Sequence, residues 1–194
     1  MKMRIIAGTK RGMKLLGPKT QVSRPITDRV KESLFSVLYK YDLPVGKTIA
    51  DLFSGVGSLG LEALSRGAEF VTFVEQDPRI IATLKKNIEK SGFHNESKVI
   101  RANAFSIGAP VNEQDYDLVF VDPPYARTSN VDKDSPLGRL MDVLQQQVSP
   151  DGIVVVRTTD RTELLDRYNE FHIIDRRKWG TMAVTILQRD TNDE

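Results

Sequence analysis

Short apolar runs alternate along the chain with segments whose apolar residues recur at helical spacing, and that alternation predicts most of its elements. "ITDRVKESLFSVLYKY" puts Val30, Leu34, Val37, Leu38 and Tyr41 on one helical face behind Thr27, a residue type that starts helices. From residue 48 the texture is strand then helix, repeated: "TIADLF" and "SLGLEALSRG", then "FVTFVE" and "PRIIATLKKNIEKSG". Gly67 and Gly92 close these helices, and Pro78 suits the first turn of the second. "KVIRA", "YDLVFVD" and "GIVVVRT" read as further strands, with "SPLGRLMDVLQQQV" a helix ahead of the last. This predicts an α/β fold with a mostly parallel, doubly wound sheet. The closing "FHIIDRRKWGTMAVTILQR" breaks the pattern, because two strands meet at a tight turn near Trp179 and Gly180, so the last pair is expected antiparallel. At the start, "MRIIAG" and "GMKLLG" flank "TKR", which predicts an N-terminal β-hairpin.

Length adds little to this picture: 194 residues fit a single domain, read as a basic arm over 1–23 and a core over 24–194. With 40% hydrophobic and 28% charged residues the chain belongs with soluble globular proteins. No apolar run approaches the roughly 20 residues of a spanning helix, and the first residues lack the apolar stretch of a signal peptide. A cytoplasmic, monomeric protein with no membrane partner is therefore expected.

Charge changes the picture more. Residues 1–31 hold nine Lys and Arg against one acid, Asp28, while the whole chain is only +2, so the remainder is net acidic. One strongly cationic segment on an otherwise acidic protein is the footprint of a polyanion partner. The chain has no cysteine, which excludes disulfides, thiolate metal ligands and attack by a sulfur nucleophile. His94 and His172 lie far apart, in no ligand spacing, so no metal site is expected.

Two motifs carry chemistry. In "DLFSGVGSLG", Gly55, Gly57 and Gly60 form G-x-G-x-x-G between a strand and a helix start, where backbone N–H groups can approach a ligand. Twenty residues on, Glu75 ends the next strand, where a carboxylate can accept hydrogen bonds from two ribose hydroxyls. Such glycines serve NAD, FAD and S-adenosylmethionine alike. Asp51 at the end of the first strand favours the last, because an acid suits a cationic amino acid moiety and repels a pyrophosphate. The second motif, Asp122-Pro123-Pro124-Tyr125, stands at the carboxyl end of "DLVFV", facing the same crevice. An exocyclic amine on a nucleobase is a poor nucleophile. An Asp122 oxygen and the Pro123 carbonyl can both accept its N–H groups and aim its lone pair at a methyl donor, with the proline pre-aiming the carbonyl. Tyr125 can stack on an extruded base. Methylation at pyrimidine C5 ordinarily needs a cysteine adduct, which this chain cannot form, whereas direct transfer to nitrogen needs none.

The stretches "DLFSGVGSLGLEALSRGA", "FVEQD", "DLVFVDPPY", "MRIIAGTKRGMKLL", "RPITDRVKESLF" and "RRKWGTMAVTIL" resemble the RsmD-type 16S rRNA (guanine-N2) methyltransferases, nearly end to end. The resemblance implies a Rossmann-like class I methyltransferase fold, S-adenosylmethionine as donor, and guanine N2 in small-subunit rRNA, free or in the small ribosomal subunit, as acceptor. It implies cofactor contacts at Asp51, Ser54, Gly55, Gly57, Gly60, Glu75, Gln76, Asn103 and Ala104, with Asp122, Pro123, Pro124 and Tyr125 as the catalytic stretch. Arg4, Lys10, Arg11, Lys14, Arg24 and Arg29 are the candidate RNA contacts. Two positions depart from the family pattern. Asn103 stands where an aspartate commonly reads the adenine amine, and its amide oxygen accepts that hydrogen bond without charge assistance; Val56 replaces a small polar residue. Rival readings are the same chemistry on adenine N6 of DNA or another RNA, or on a protein glutamine; a nicotinamide-dependent oxidoreductase, which leaves the Asp-Pro-Pro-Tyr stretch unexplained; and a catalytically silent RNA-binding module.

Overall fold

The computed structural model describes residues 3–17, 26–110 and 114–191. Eight strands form one sheet: β1 (Thr48–Leu52), β2 (Phe70–Glu75), β3 (Ser97–Arg101), β4 (Tyr116–Val121), β5 (Val148–Thr159), β6 (Arg167–Tyr168), β7 (Phe171–Trp179) and β8 (Met182–Arg189). Their order is β3-β2-β1-β4-β5-β8-β7-β6. The first five pair in parallel, while β8 runs antiparallel to both β5 and β7, as the closing hairpin pattern predicts. Among the described residues five α-helices accompany the sheet: α1 (Asp28–Leu38), α2 (Ser58–Ser65), α3 (Pro78–Ser91), α4 (Ala104–Ile107) and α5 (Pro136–Leu144). Apolar residues of α1, α2 and α3 pack on one sheet face, and those of α4 and α5 on the other.

Local chemistry explains the boundaries. Thr27 caps α1 by accepting from the Val30 N–H, Asp77 caps α3, and Gly92 ends α3 at φ 76. The helix expected through Val148 stops at Leu144 because the Gln147 side chain turns back, accepting from the Ala109 N–H and donating to the Ile107 carbonyl. The short α4 and β6 lack a periodic signal long enough to read from sequence.

The N-terminal segment forms a ribbon with a single antiparallel bridge, Arg4 to Lys14, instead of two full strands. Its outer backbone donors serve a side chain: the Ile6 and Ala7 N–H groups donate to Glu62 on α2, at 2.8 and 3.0 Å. Glu62 is fully buried and also accepts from Lys31 Nζ at 3.3 Å and Arg66 Nε at 2.8 Å, and Lys31 donates in turn to the Arg4 carbonyl at 2.7 Å. Burial pulls the Lys31 ammonium below the usual lysine range, and Glu62 pulls it back up. Ser65 and Asn87 hold the ribbon at two more points, and Ile5 and Leu15 enter the core beneath it. Gly8 makes this fit possible: a Cβ there would lie 1.7 Å from the Ser65 carbonyl oxygen. The described part of the basic arm, residues 3–17, docks on α2 and α3.

Candidate active site

The chain leaves β1 toward β2 on one side, while β4 pairs with β1 on the other, so the loops after β1 and β4 diverge at this switch of strand order. Between them opens a cleft of about 220 Å³. Asp51 and residues 53–56 line it from β1, Glu75, Gln76 and Asp77 from β2, Asp122 and Pro124 from β4, and Arg157 from β5. Met3, Ile26, Leu59, Ile80, Ala102 and Ala104 give it apolar walls.

Three carboxylates meet there under different constraints. Asp51 is buried and accepts from the Gly60 N–H at 2.9 Å, capping α2 from a distance, since Gly57 at its N-cap position has no side chain to do so. Burial drives its pKa well above the usual carboxylate range; the Gly60 hydrogen bond opposes this, and the neighbouring charges of Asp122 and Glu75 add to it. Glu75 accepts from the Gly55 N–H at 3.1 Å through Oε2, and from the Gln76 and Asp77 N–H groups at 2.8 and 2.9 Å through Oε1. Three backbone donors leave that carboxylate room for about one more strong hydrogen bond, where the sequence reading allowed two. Asp122 is raised by burial and pulled back by Arg157, whose Nε donates to Oδ1 at 2.5 Å.

Two hydroxyls on the cleft, Ser54 Oγ and Ser58 Oγ, are buried and have no hydrogen-bond partner among the described residues. Buried polar atoms of this kind call for a polar ligand or water. Beside them Phe53 holds φ 57, uncommon for an aromatic residue, with its ring 4.6 Å from that of Phe105.

Of the residues singled out from sequence, Asp51, Ser54, Gly55, Glu75, Gln76, Ala104, Asp122 and Pro124 line this one cleft. The glycines divide in role. A Cβ at Gly55 would meet open space, whereas one at Gly57 would lie 2.6 Å from Leu84 and one at Gly60 2.3 Å from Phe73. Gly57 and Gly60 thus also serve the packing of α2, beside their expected role as cofactor contacts. Asn103 is exposed, does not line the cleft, and its Oδ1 caps α4 by accepting from the Phe105 N–H at 3.1 Å. Pro123 is buried behind the cleft, and Tyr125 opens a short 3-10 turn at its edge. Among the cations, Lys10, Arg11, Lys14 and Arg29 are exposed, Arg4 is paired with Asp28 at 2.7 Å, and Arg24 lies outside the described residues.

Sequence reasoning missed Arg157, Phe53, Ser58 and the walls Met3 and Ile26. Arg157 had left a trace: an arginine inside the apolar strand "GIVVVRT" must have a partner if the strand is buried. Among the described residues no group of His, Asp and Glu could hold a metal, and no helix is long and apolar enough to cross a membrane.

Comparison with known proteins agrees with this architecture. The family model described as Conserved hypothetical protein 95 matches residues 3–188. The chain is 32% identical over 191 residues to the "Putative rRNA methyltransferase YlbH" of Bacillus subtilis, covering 96% of this chain and 99% of that one. It is 42% identical over 125 residues to the Ribosomal RNA small subunit methyltransferase D of Haemophilus influenzae, a stretch spanning 63% of this chain and 64% of that relative. The solved "Putative methyltransferase yhhF from Escherichia coli" superposes with a TM-score of 0.81 at 31% identity, covering 98% and 99% of the two chains. With a doubly wound sheet closed by an antiparallel hairpin and an acidic cleft at the strand-order switch, the chain belongs to the Conserved hypothetical protein 95 family, the RsmD-type methyltransferases.

Proposed function

We propose that this protein transfers the methyl group of S-adenosylmethionine directly to the exocyclic N2 amine of a guanine in small-subunit ribosomal RNA. The observation that carries this reading is the shared cleft: Asp122 and Pro124 open onto the same hollow as Asp51, Gly55 and Glu75. S-adenosylmethionine brings a methyl group on a sulfonium, reactive enough that an oriented amine suffices as nucleophile.

The residues present suit that cofactor by their chemistry. Asp51 offers charge to its ammonium, the Ser54 hydroxyl in the loop after β1 and the Ser58 hydroxyl at the start of α2, both without partners among the described residues, suit its carboxylate, and Glu75 keeps acceptor capacity for a ribose hydroxyl. Gln76 and Ala104 flank the place for its base. Asp122 and the Pro123 carbonyl accept the N–H groups of the target amine and stabilise the positive charge that grows on nitrogen as the N–C bond forms. The proton then released passes to Asp122 or to water. Tyr125 stacks on the flipped base, and Met3 and Ile26 keep bulk water from the cleft. Lys10, Arg11, Lys14 and Arg29 grip phosphates, and the protein acts in the cytoplasm as a monomer on rRNA or the small ribosomal subunit.

Mass spectrometry of small-subunit rRNA nucleosides from cells with and without the protein tests the reading. One N2-methylguanine is expected to disappear. Intact N2-methylguanine with a lost N6-methyladenine would move the reaction to adenine.

Two further outcomes follow. Reversing both Lys10 and Arg11 to glutamate is expected to weaken RNA binding about tenfold and to lower the slope of log affinity against log salt by about two. Fluorescence anisotropy over a salt series measures this, and an unchanged slope removes the ribbon from the RNA interface. Charge reversal is the right probe because deleting the ribbon would also strip Ile5 and Leu15 from the core and two donors from Glu62. The second concerns Asp51. Its folded pKa lies above its unfolded one, so its ionisation weakens the fold as pH rises from the ordinary carboxylate range through the raised value, and the cost is fully present above it. Asp51→Asn is therefore expected to raise the apo melting temperature at neutral pH by roughly 2–4 °C while shrinking the further rise caused by S-adenosylmethionine. A variant that melts lower without ligand, or gains as much from it as wild type, contradicts that assignment.

A further inference from the structure

Arg157 is the one cation lining the cleft among the described residues, and the proposed reaction states no use for it. It lies on β5 directly across from Asp122, because Val121 and Val156 are register partners on parallel strands and each residue is the next in its chain. Its side chain is 6% exposed and that of Asp122 20%, and Nε meets Oδ1 at 2.5 Å. Its guanidinium carbon also sits 5.8 Å from the centroid of the Tyr125 ring. One cation thus touches both the carboxylate and the aromatic ring of the Asp-Pro-Pro-Tyr stretch.

A carboxylate in this position faces an unfavourable field. Asp51 on β1 and Glu75 at the end of β2 line the same cleft, Asp51 and Asp122 repel each other, and Met3 and Ile26 offer no compensating charge. A protonated Asp122 could present an O–H to an incoming amine where an acceptor is needed. A free carboxylate could also rotate and share both oxygens between ligand and solvent.

Resting on the proposed amine methylation, we propose that Arg157 is the positioning residue for the methyl acceptor: by binding Oδ1 of Asp122 and bracing Tyr125, it leaves Oδ2 as a fixed, charged acceptor for the guanine amine. Loss of Arg157 removes the contribution that lowers the Asp122 pKa while burial continues to raise it, so the protonated form persists to higher pH.

The test uses the full chain with aspartate labelled at the carboxyl carbon, as wild type, Arg157→Met and Arg157→Lys. NMR titration, with Asp122→Asn identifying the signal, is expected to show the Asp122 midpoint rising by about one pH unit or more in Arg157→Met and staying closer to wild type in Arg157→Lys. Single-turnover transfer of labelled methyl to small ribosomal subunits from cells lacking the protein is expected to fall about tenfold in Arg157→Met at slightly acid pH and to recover as pH rises. Arg157→Lys restores part of the rate, and affinity for S-adenosylhomocysteine stays within about twofold of wild type in both. An unmoved midpoint, or a rate loss equal at every pH, overturns the inference while leaving the proposed reaction standing. A wild type that labels no guanine overturns the reaction, and the positioning role with it.

Discussion

Asp122→Ala is expected to cut methyl transfer by about 10²- to 10³-fold while leaving affinity for S-adenosylmethionine nearly intact. Of the proposed acceptors for the target amine, only this side chain is removed; the Pro123 carbonyl and the cleft walls remain. Asp51, Glu75 and the Ser54 and Ser58 hydroxyls, the groups suited to the cofactor, stand on β1, β2 and α2 and do not depend on it. Asp122→Asn separates charge from shape, because the amide oxygen still accepts a hydrogen bond but cannot neutralise charge growing on nitrogen, so a smaller loss is expected. Single-turnover rates with saturating cofactor, alongside calorimetric binding of S-adenosylhomocysteine, measure both quantities. A fully active alanine variant would leave the chemistry without its acceptor and end the proposed mechanism. Acid should also slow the wild type: burial holds the Asp122 pKa above that of an exposed carboxyl, so the acid limb of the rate profile is expected above the ordinary carboxylate range.

Glu62→Ala is expected to be the most damaging change outside the cleft, costing about 3–5 kcal/mol. The carboxylate gathers the Lys31 ammonium, the Arg66 guanidinium and the Ile6 and Ala7 N–H groups in a fully buried site; its removal leaves the two backbone donors without that acceptor and two buried cations without their shared counter-charge, Lys31 keeping the Arg4 carbonyl and Arg66 the Glu32 carboxylate. For a chain of this size that loss corresponds to roughly 6–20 °C in melting temperature. Glu62→Gln, which keeps acceptor atoms but no charge, should fall between. If the pairs form one network, adding Lys31→Met to Glu62→Ala costs less than the two losses summed. Thermal melts of the four proteins decide it, and a Glu62→Ala variant melting within a degree of wild type would mean the ribbon is held by its apolar contacts alone. The ribbon supplies Met3 to the cleft wall, so a weakened dock should also be felt there.

How far the chain can be read without coordinates is plain in particular elements. Thr27, Pro78 and Gly92 announce their helix ends because capping is decided within a few residues. The parallel core is legible in apolar runs such as "TIADLF" and "GIVVVRT", and the antiparallel finish in the turn at Gly180. Asp51, Glu75 and Asp122 could be placed on one crevice because all three stand at strand ends, and strand ends of a doubly wound sheet share an edge. Gly57 and Gly60 show the limit of motif reading: the spacing is that of a ligand loop, but it does not tell that their missing side chains also make room for Leu84 and Phe73. Asn103 shows the same limit, since an amide able to read a base is equally able to cap the helix beginning at the next residue.

From the sequence alone came the fold class, the order of its elements and the chemical character of the cleft, because periodicity, caps and strand-end residues act over a few neighbouring positions. Only the tertiary structure decided that Arg157 holds Asp122, that Glu62 anchors the ribbon from 55 and 56 residues away, and that Ser54 and Ser58 face the cleft without partners among the described residues. Those contacts join groups far apart in the chain and depend on strand register and helix placement to within an ångström, which no local pattern of residues encodes.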